Sequence, residues 1–197
     1  INNQNISNPT FTSLIPLPYY LSVLVTNIAG CNDRDSVTVM VEPFPNANTG
    51  SPGTICLGDS FQLGDLPNSD YSYLWTPNTN LSGTTVAQPW VLPITPGTVN
   101  YQLVVTDTSG MAACTDTATV AVVATDTPTV SLAATPDTLC DGSVATLTAT
   151  ATGGTGSYSY AWSPGGGTTA SIQVNPSTTT TYSVTVTDQS SCSTFGS

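Results

Sequence analysis

One stretch of this sequence occurs three times. Tyr20 to Asn27 (YLSVLVTN), Tyr101 to Asp107 (YQLVVTD) and Tyr182 to Asp188 (YSVTVTD) each run from an aromatic through alternating residues to Thr-Asp or Thr-Asn. A short turn and a cysteine follow each time, at Cys31, Cys114 and Cys192. Period-two alternation is the mark of a strand with one buried face. The tyrosines are 81 residues apart, Cys31 and Cys114 are 83 apart, and Cys56 and Cys140 are 84 apart. A period near 80 residues is one small β-sandwich per repeat, so the fold class is all-β, with tandem immunoglobulin-like sandwiches.

The remaining landmarks place the repeats. Residues 44–126 hold about seven strand-like runs: Ile55 to Ser60 leads into Phe61 to Leu63, then come Tyr71 to Thr76, Val86 to Leu92, Tyr101 to Thr106 and Thr117 to Val123. That number and spacing suit one complete sandwich. Residues 127–197 repeat the order, with Leu139 to Ser143 matching Ile55 to Ser60 and Tyr158 to Pro164 matching Tyr71 to Pro77. The last strand of this repeat is expected to be missing. Residues 1–43 read as the second half of a repeat, with strands at Phe11 to Leu14, Tyr20 to Thr26 and Ser36 to Val41. Glu42-Pro43-Phe44-Pro45 reads as a stiff junction, because proline fixes φ. The first and last repeats are therefore expected to be incomplete, as in a window on a longer array.

Composition limits the partners. One basic residue, Arg34, stands against 12 acidic ones, giving a net charge of −11 with no His. Nucleic acid needs Lys and Arg to displace its counterions, so it is excluded as a partner. No apolar run reaches the roughly 20 residues of a membrane helix, and membrane insertion is not expected. Without His or Lys, the Ser-His-Asp, Cys-His and Ser-Lys nucleophile arrangements cannot be assembled. The acids Asp33, Asp35, Asp59, Asp65, Asp107, Asp141 and Asp188 fall mostly in turns, where Asp bonds its own backbone. No catalytic residue is expected.

The five cysteines form no CxxC pair, which argues for disulfides and an oxidising compartment rather than zinc. Each full repeat has one cysteine before its second strand and one after its penultimate strand. The economical bonds are Cys56 with Cys114 and Cys140 with Cys192. Cys31 then has no partner within the chain, and its mate is expected upstream of Ile1; the alternative is a free thiol. No metal site is assigned. Calcium could bridge Asp33, Asp35 and Glu42 near the first junction, but no EF-hand pattern supplies its usual six to eight oxygens, and solvated turn acids account for the same residues.

Tyr71, Tyr73 and Trp75, like Tyr158, Tyr160 and Trp162, share one strand face. They could form a sugar-stacking row. The opposite faces, Ser72-Leu74-Thr76 and Ser159-Ala161-Ser163, are too small to build a core, so the aromatics are expected inside. Tyr20, Tyr101 and Tyr182 occupy the tyrosine-corner position. Trp90 has no aromatic counterpart at Gln173 and is a candidate contact residue.

The order C-x-G-x-x-[VF]-x-L, then Y-x-Y-x-W-[ST]-P, then Tyr with alternating Val and Thr to T-D and a Cys, resembles the tandem PKD-like and Ig-like repeats of large secreted surface proteins of the Bacteroidota. These include gliding-associated adhesins and other cargo of type IX secretion. Trp75-Thr76-Pro77 and Trp162-Ser163-Pro164 replace the W-x-F-G-D-G signature of PKD domains proper. The resemblance implies an extracellular, cell-surface location and a role as stalk or adhesive arm, with neighbouring repeats, surface glycans or surface proteins as partners. It also brings an O-glycosylation pattern, Asp-[Ser/Thr]-aliphatic, which Ser36, Thr117 and Thr138 match; such tripeptides also arise by chance in a Thr-rich chain. A filament completed by a neighbouring chain's strand is one variant of this reading. The competing reading is a spacer or carbohydrate-binding module of a secreted polysaccharide hydrolase.

Overall fold

The computed structural model describes residues 5–110 and 113–197, and every regular element in them is a strand. The first two, β1 (Pro18–Thr26) and β2 (Asn32–Met40), form an antiparallel hairpin with Tyr20 opposite Thr38. Asn27 shapes its turn: the side-chain Oδ1 accepts from the Ala29 and Cys31 N–H groups, and Gly30 takes the positive φ of 83° that closes the bend. Both hairpin faces are largely exposed, including Tyr20 at 80%. The tyrosine-corner expectation therefore fails at Tyr20, which has no facing sheet to pack on. Phe11 to Leu14 is not a strand either; this proline-punctuated stretch finds no ladder partner.

Six strands follow within residues 53–125: β3 (Gly53–Cys56), β4 (Phe61–Gln62), β5 (Tyr71–Thr76), β6 (Trp90–Val91), β7 (Gly97–Asp107) and β8 (Thr115–Thr125). One sheet has the order β3-β8-β7-β5 and the other pairs β4 with β6. The two inner faces enclose Ile55, Leu63, Trp75, Val91, Tyr101, Leu103, Val105, Val120, Val122 and Ala124. Trp75 is buried while its strand neighbours Leu74 and Thr76 are exposed, so the aromatic face of β5 is the inner face. Its indole N–H donates to the Val86 carbonyl at 3.0 Å, which lets a polar edge sit in an apolar core. Tyr101 forms the tyrosine corner, its hydroxyl donating to the Thr79 carbonyl at 2.7 Å. The strand expected over Val86 to Leu92 is reduced to Trp90–Val91. Pro89 and Pro93 flank those two residues and cannot donate to a ladder.

The third unit uses β9 (Pro128–Thr135), β10 (Ala145–Gly153), β11 (Ser159–Ser163), β12 (Ser171–Val174), β13 (Ser183–Thr187) and β14 (Ser193–Gly196). Its sheets run β12-β10-β9 and β11-β13-β14, enclosing Ala149, Trp162, Val184 and Val186. Trp162 repeats the Trp75 arrangement, donating to the Thr169 carbonyl at 2.9 Å. The last strand, expected to be missing, is present in part: the four-residue β14, matching the start of β8, pairs with β13 through Thr185 opposite Phe195. Four residues suffice because the β13 edge offers a ready ladder.

Trp75→Ala should destabilise the second sandwich by about 3–5 kcal/mol, the range for an aromatic removed from a packed core. Tyr101→Phe should cost about 1 kcal/mol by stripping the Thr79 carbonyl of its donor. Urea unfolding of the two variants against the parent checks both values. Equal, near-zero changes would contradict this core.

Candidate functional site: a disulfide junction between two sandwiches

The cysteines occupy two structural positions, each set by local hydrogen bonds. Cys31, Cys114 and Cys192 are turn cysteines, placed where a hairpin starts its return. In every copy the backbone N–H of the preceding Asn or Asp donates to the cysteine carbonyl at 2.9 Å: Asn27 to Cys31, Asp107 to Cys114 and Asp188 to Cys192. The same residue's carboxylate or amide oxygen caps the turn. Asp107 Oδ1 accepts from Ser109, and Asp188 Oδ1 accepts from the Ser190 and Cys192 N–H groups at 2.9 Å. The Thr-Asp or Thr-Asn dipeptide of the repeat thus aims the cysteine.

Cys56 and Cys140 are leading cysteines, each opening a tight turn. The Cys56 carbonyl accepts from the Asp59 N–H at 3.1 Å and the Cys140 carbonyl from the Ser143 N–H at 3.0 Å. Gly58 and Gly142 supply the positive φ, 95° and 77°, in the two copies.

Cys56 is bonded to Cys192, with Cα atoms 5.5 Å apart and a sequence separation of 136. Cys31, Cys114 and Cys140 are free thiols. This corrects the pairing of Cys56 with Cys114 and of Cys140 with Cys192. The reason is strand length. Cys56 lies opposite Thr125, the last residue of β8, while Cys114 immediately precedes Thr115, the first. Eleven residues of strand put those two ends about 33 Å apart, and a disulfide tolerates only about 7 Å between Cα atoms. The leading cysteine marks the exit of its own sandwich, and the turn cysteine marks the entrance of the next.

The junction is tight around the bond. Thr125 Oγ1 lies 3.1 Å from Cys192 Sγ, and the Thr125 carbonyl accepts from the Leu57 N–H at 2.9 Å. Only Asp126 and Thr127 separate β8 from β9, and Pro128, buried, sets the entry angle. Asp188 joins the turn to a loop of the same sandwich: its Oδ2 accepts from the Thr155 N–H at 2.8 Å and the Thr155 hydroxyl at 3.1 Å. A Cβ added at Gly154, whose φ is +64°, would come within 2.6 Å of that carboxylate, so the loop needs glycine there.

Burial acts to raise the Asp188 carboxyl, and hydrogen bonds from Thr155, Cys192 and Ser190 outweigh it, holding the group below the usual carboxylate range. Asp107 is lowered by Ser109, and Asp116 by the Ala47 and Thr117 N–H groups. A depressed folded pKa means that each contribution is complete above the ordinary aspartate range and is lost as pH falls through the lower folded value.

The other expected sites are not gathered here. Ser36 lies exposed on β2, Thr117 exposed on β8, and Thr138 exposed in the turn before Cys140. Trp90 is 47% exposed on β6. Asp33, Asp35 and Glu42 do not converge: among the described residues, no three Asp, Glu, His or Cys side chains stand close enough to hold a metal ion. The bridge is not legible in the sequence, because cysteine spacing alone does not say which end of a sandwich each cysteine occupies.

Thiol titration of the oxidised 197-residue chain should count three reactive cysteines and, after reduction, five; pairing within each sandwich would leave one. Asp188→Asn keeps an oxygen for the turn but sets an NH2 against the Thr155 donors. It should lower the unfolding temperature by several degrees at pH 7 and by less at pH 3, read by calorimetry.

No family model matches the chain, and no curated protein does. Among solved structures, the N-terminal eight Ig domains of Down Syndrome Cell Adhesion Molecule match 94% of this chain at 9% identity with a TM-score of 0.52. The chain spans 35% of that structure. The titin fragment I67–I69 matches 90% of this chain and covers 72% of its own length, at 10% identity and a TM-score of 0.39. The amphioxus IgVJ-C2 molecule matches 73% of the chain and 96% of its own, at 16% identity and a TM-score of 0.31. Strand order, core and the first of these likenesses together establish the architecture: the chain is a set of tandem immunoglobulin-like β-sandwich repeats.

Proposed function

We propose that this chain is a non-enzymatic, load-bearing segment of an extracellular stalk or adhesive arm, as in the gliding-type surface adhesins exported by Bacteroidota through type IX secretion. The observation that carries the reading is the bond between Cys56 and Cys192, which links two consecutive sandwiches at their shared junction. Tension applied at the chain ends enters β3, reaches Cys56, crosses the sulfurs and leaves through β14. Residues 57–191 are off the covalent path, so neither sandwich is drawn out by the load. If the bond is reduced, tension falls on the parallel β3–β8 pair, whose register of Gly53 with Val122 through Cys56 with Thr125 is loaded in shear. An enzyme gains nothing from such a bypass; a tether does.

Other parts of the reading rest on surface chemistry. Ser36, Thr117 and Thr138 are exposed hydroxyls suited to glycan attachment, and a glycan at Thr117 would shield the part of β8 that β3 leaves unpaired. Trp90, 47% exposed, would supply a weak contact on the one repeat that carries it, with repetition of such modest contacts along an array supplying adhesion. The hydrolase-module reading draws less support, since the Tyr71-Tyr73-Trp75 row faces inward and offers no planar platform to a sugar.

Force spectroscopy on the 197-residue chain, held at both ends, tests the proposal. The oxidised chain should release no length from residues 57–191, and reductant should add roughly 450–490 Å of contour from the 136-residue span. Release of sandwich-sized lengths from the oxidised chain would sink the load-bearing reading.

A further inference from the structure

Two of the free cysteines stand where the bonded pair stands, at the junctions on either side. Cys114 is a turn cysteine like Cys192, held by the same backbone bond from its aspartate. Cys140 is a leading cysteine like Cys56, held by the same turn. The surroundings of Cys114 extend the equivalence. Glu42 stands 83 residues before Thr125 in sequence, the spacing that also separates Cys31 from Cys114. Thr125 touches the Cys192 turn, and Glu42 packs onto the Cys114 turn, where a Cβ added at Gly110 would fall on the Glu42 carboxylate. The first junction therefore brings the end of one repeat against the turn of the next, as the second junction does. At the second junction the strand beside Thr125 carries Cys56. The strand beside Glu42 in a complete preceding sandwich would carry that sandwich's leading cysteine next to Cys114.

We infer that the bond between Cys56 and Cys192 is one rung of a ladder: the leading cysteine of each sandwich bonds the turn cysteine of the sandwich after it. Cys114 takes the leading cysteine of the sandwich before, and Cys140 takes the turn cysteine of the sandwich after. Cys31 follows the rule of Cys114 one repeat earlier. Each rung forms when two thiols lose two protons and two electrons by thiol–disulfide exchange, the accepting disulfide, enzyme-borne or glutathione, being reduced to two thiols. The partner is a neighbouring sandwich of the same polypeptide, so the inference rests on the array reading above.

The rungs overlap, and that overlap has a mechanical consequence. Between Cys114 and Cys140 the chain runs through β8 and β9, both already extended. A covalent path that alternates rungs with this segment has little slack, and the array cannot be lengthened by unfolding its sandwiches.

The test is a disulfide map of the protein as its cell makes it, with thiols alkylated at harvest and peptides separated without reduction. The expected result is Cys56 with Cys192, Cys114 bonded to a leading cysteine, Cys140 bonded to a turn cysteine, and alkylation at both falling to background. In a protein well above 20.2 kDa, alkylated Cys114 and Cys140, or bonds within each sandwich, would overturn the ladder and leave the array standing. A protein of 20.2 kDa with these cysteines alkylated would overturn both. Bonds between separate 20.2 kDa chains would overturn the single-polypeptide array while keeping the pairing rule.

Discussion

A disulfide reaches only a few ångströms, and the two ends of β8 lie several times that distance apart. This mismatch governs the rest of the molecule. It forbids a leading cysteine from bonding the turn cysteine of its own sandwich and brings it to the turn of the next. The covalent bond therefore acts at the joint rather than in the core. Closing a 136-residue loop contributes about 5 kcal/mol on the chain-entropy model. With both sandwiches folded, its further effect is to fix the angle at a linker that is two residues long.

The cores beneath the joint are small. Each rests on one tryptophan whose ring fills the space between sheets and whose N–H finds a carbonyl, Val86 for Trp75 and Thr169 for Trp162. The second sandwich adds Leu63, Tyr101 and Leu103, all buried, whereas the third relies on smaller residues such as Ala149 and Val184. The thinner third core makes the external staple at Cys192 correspondingly more useful. Polar anchoring comes from the capping aspartates, whose carboxylates are satisfied by backbone donors; Asp188 ties the cysteine turn to Thr155.

Much of this architecture was legible from residue order. Alternation over Tyr71 to Thr76 and Tyr101 to Thr106 located strands because one face of each is buried, and side-chain size identified the inner face of β5. Legibility failed where pairing partners decide. Phe11 to Leu14 has strand-like residues but no ladder, the Val86 to Leu92 run is cut by its prolines, and β14 forms from four residues because the β13 edge is open. Tyr20 has the sequence context of Tyr101 yet stands exposed, because a tyrosine corner needs a facing sheet.

The candidate site divides along the same line. The sequence by itself determined the repeat, the all-β class, the exclusion of His- and Lys-dependent catalysis, and which positions hold the cysteines and capping acids. All of these are properties of composition and local order. Only the tertiary structure decided which cysteines meet, since bonding depends on the distance between strand ends and on what the next sandwich brings to the junction. Spacing along a chain carries no sign of which end of a sandwich a residue occupies until strand direction and register are known.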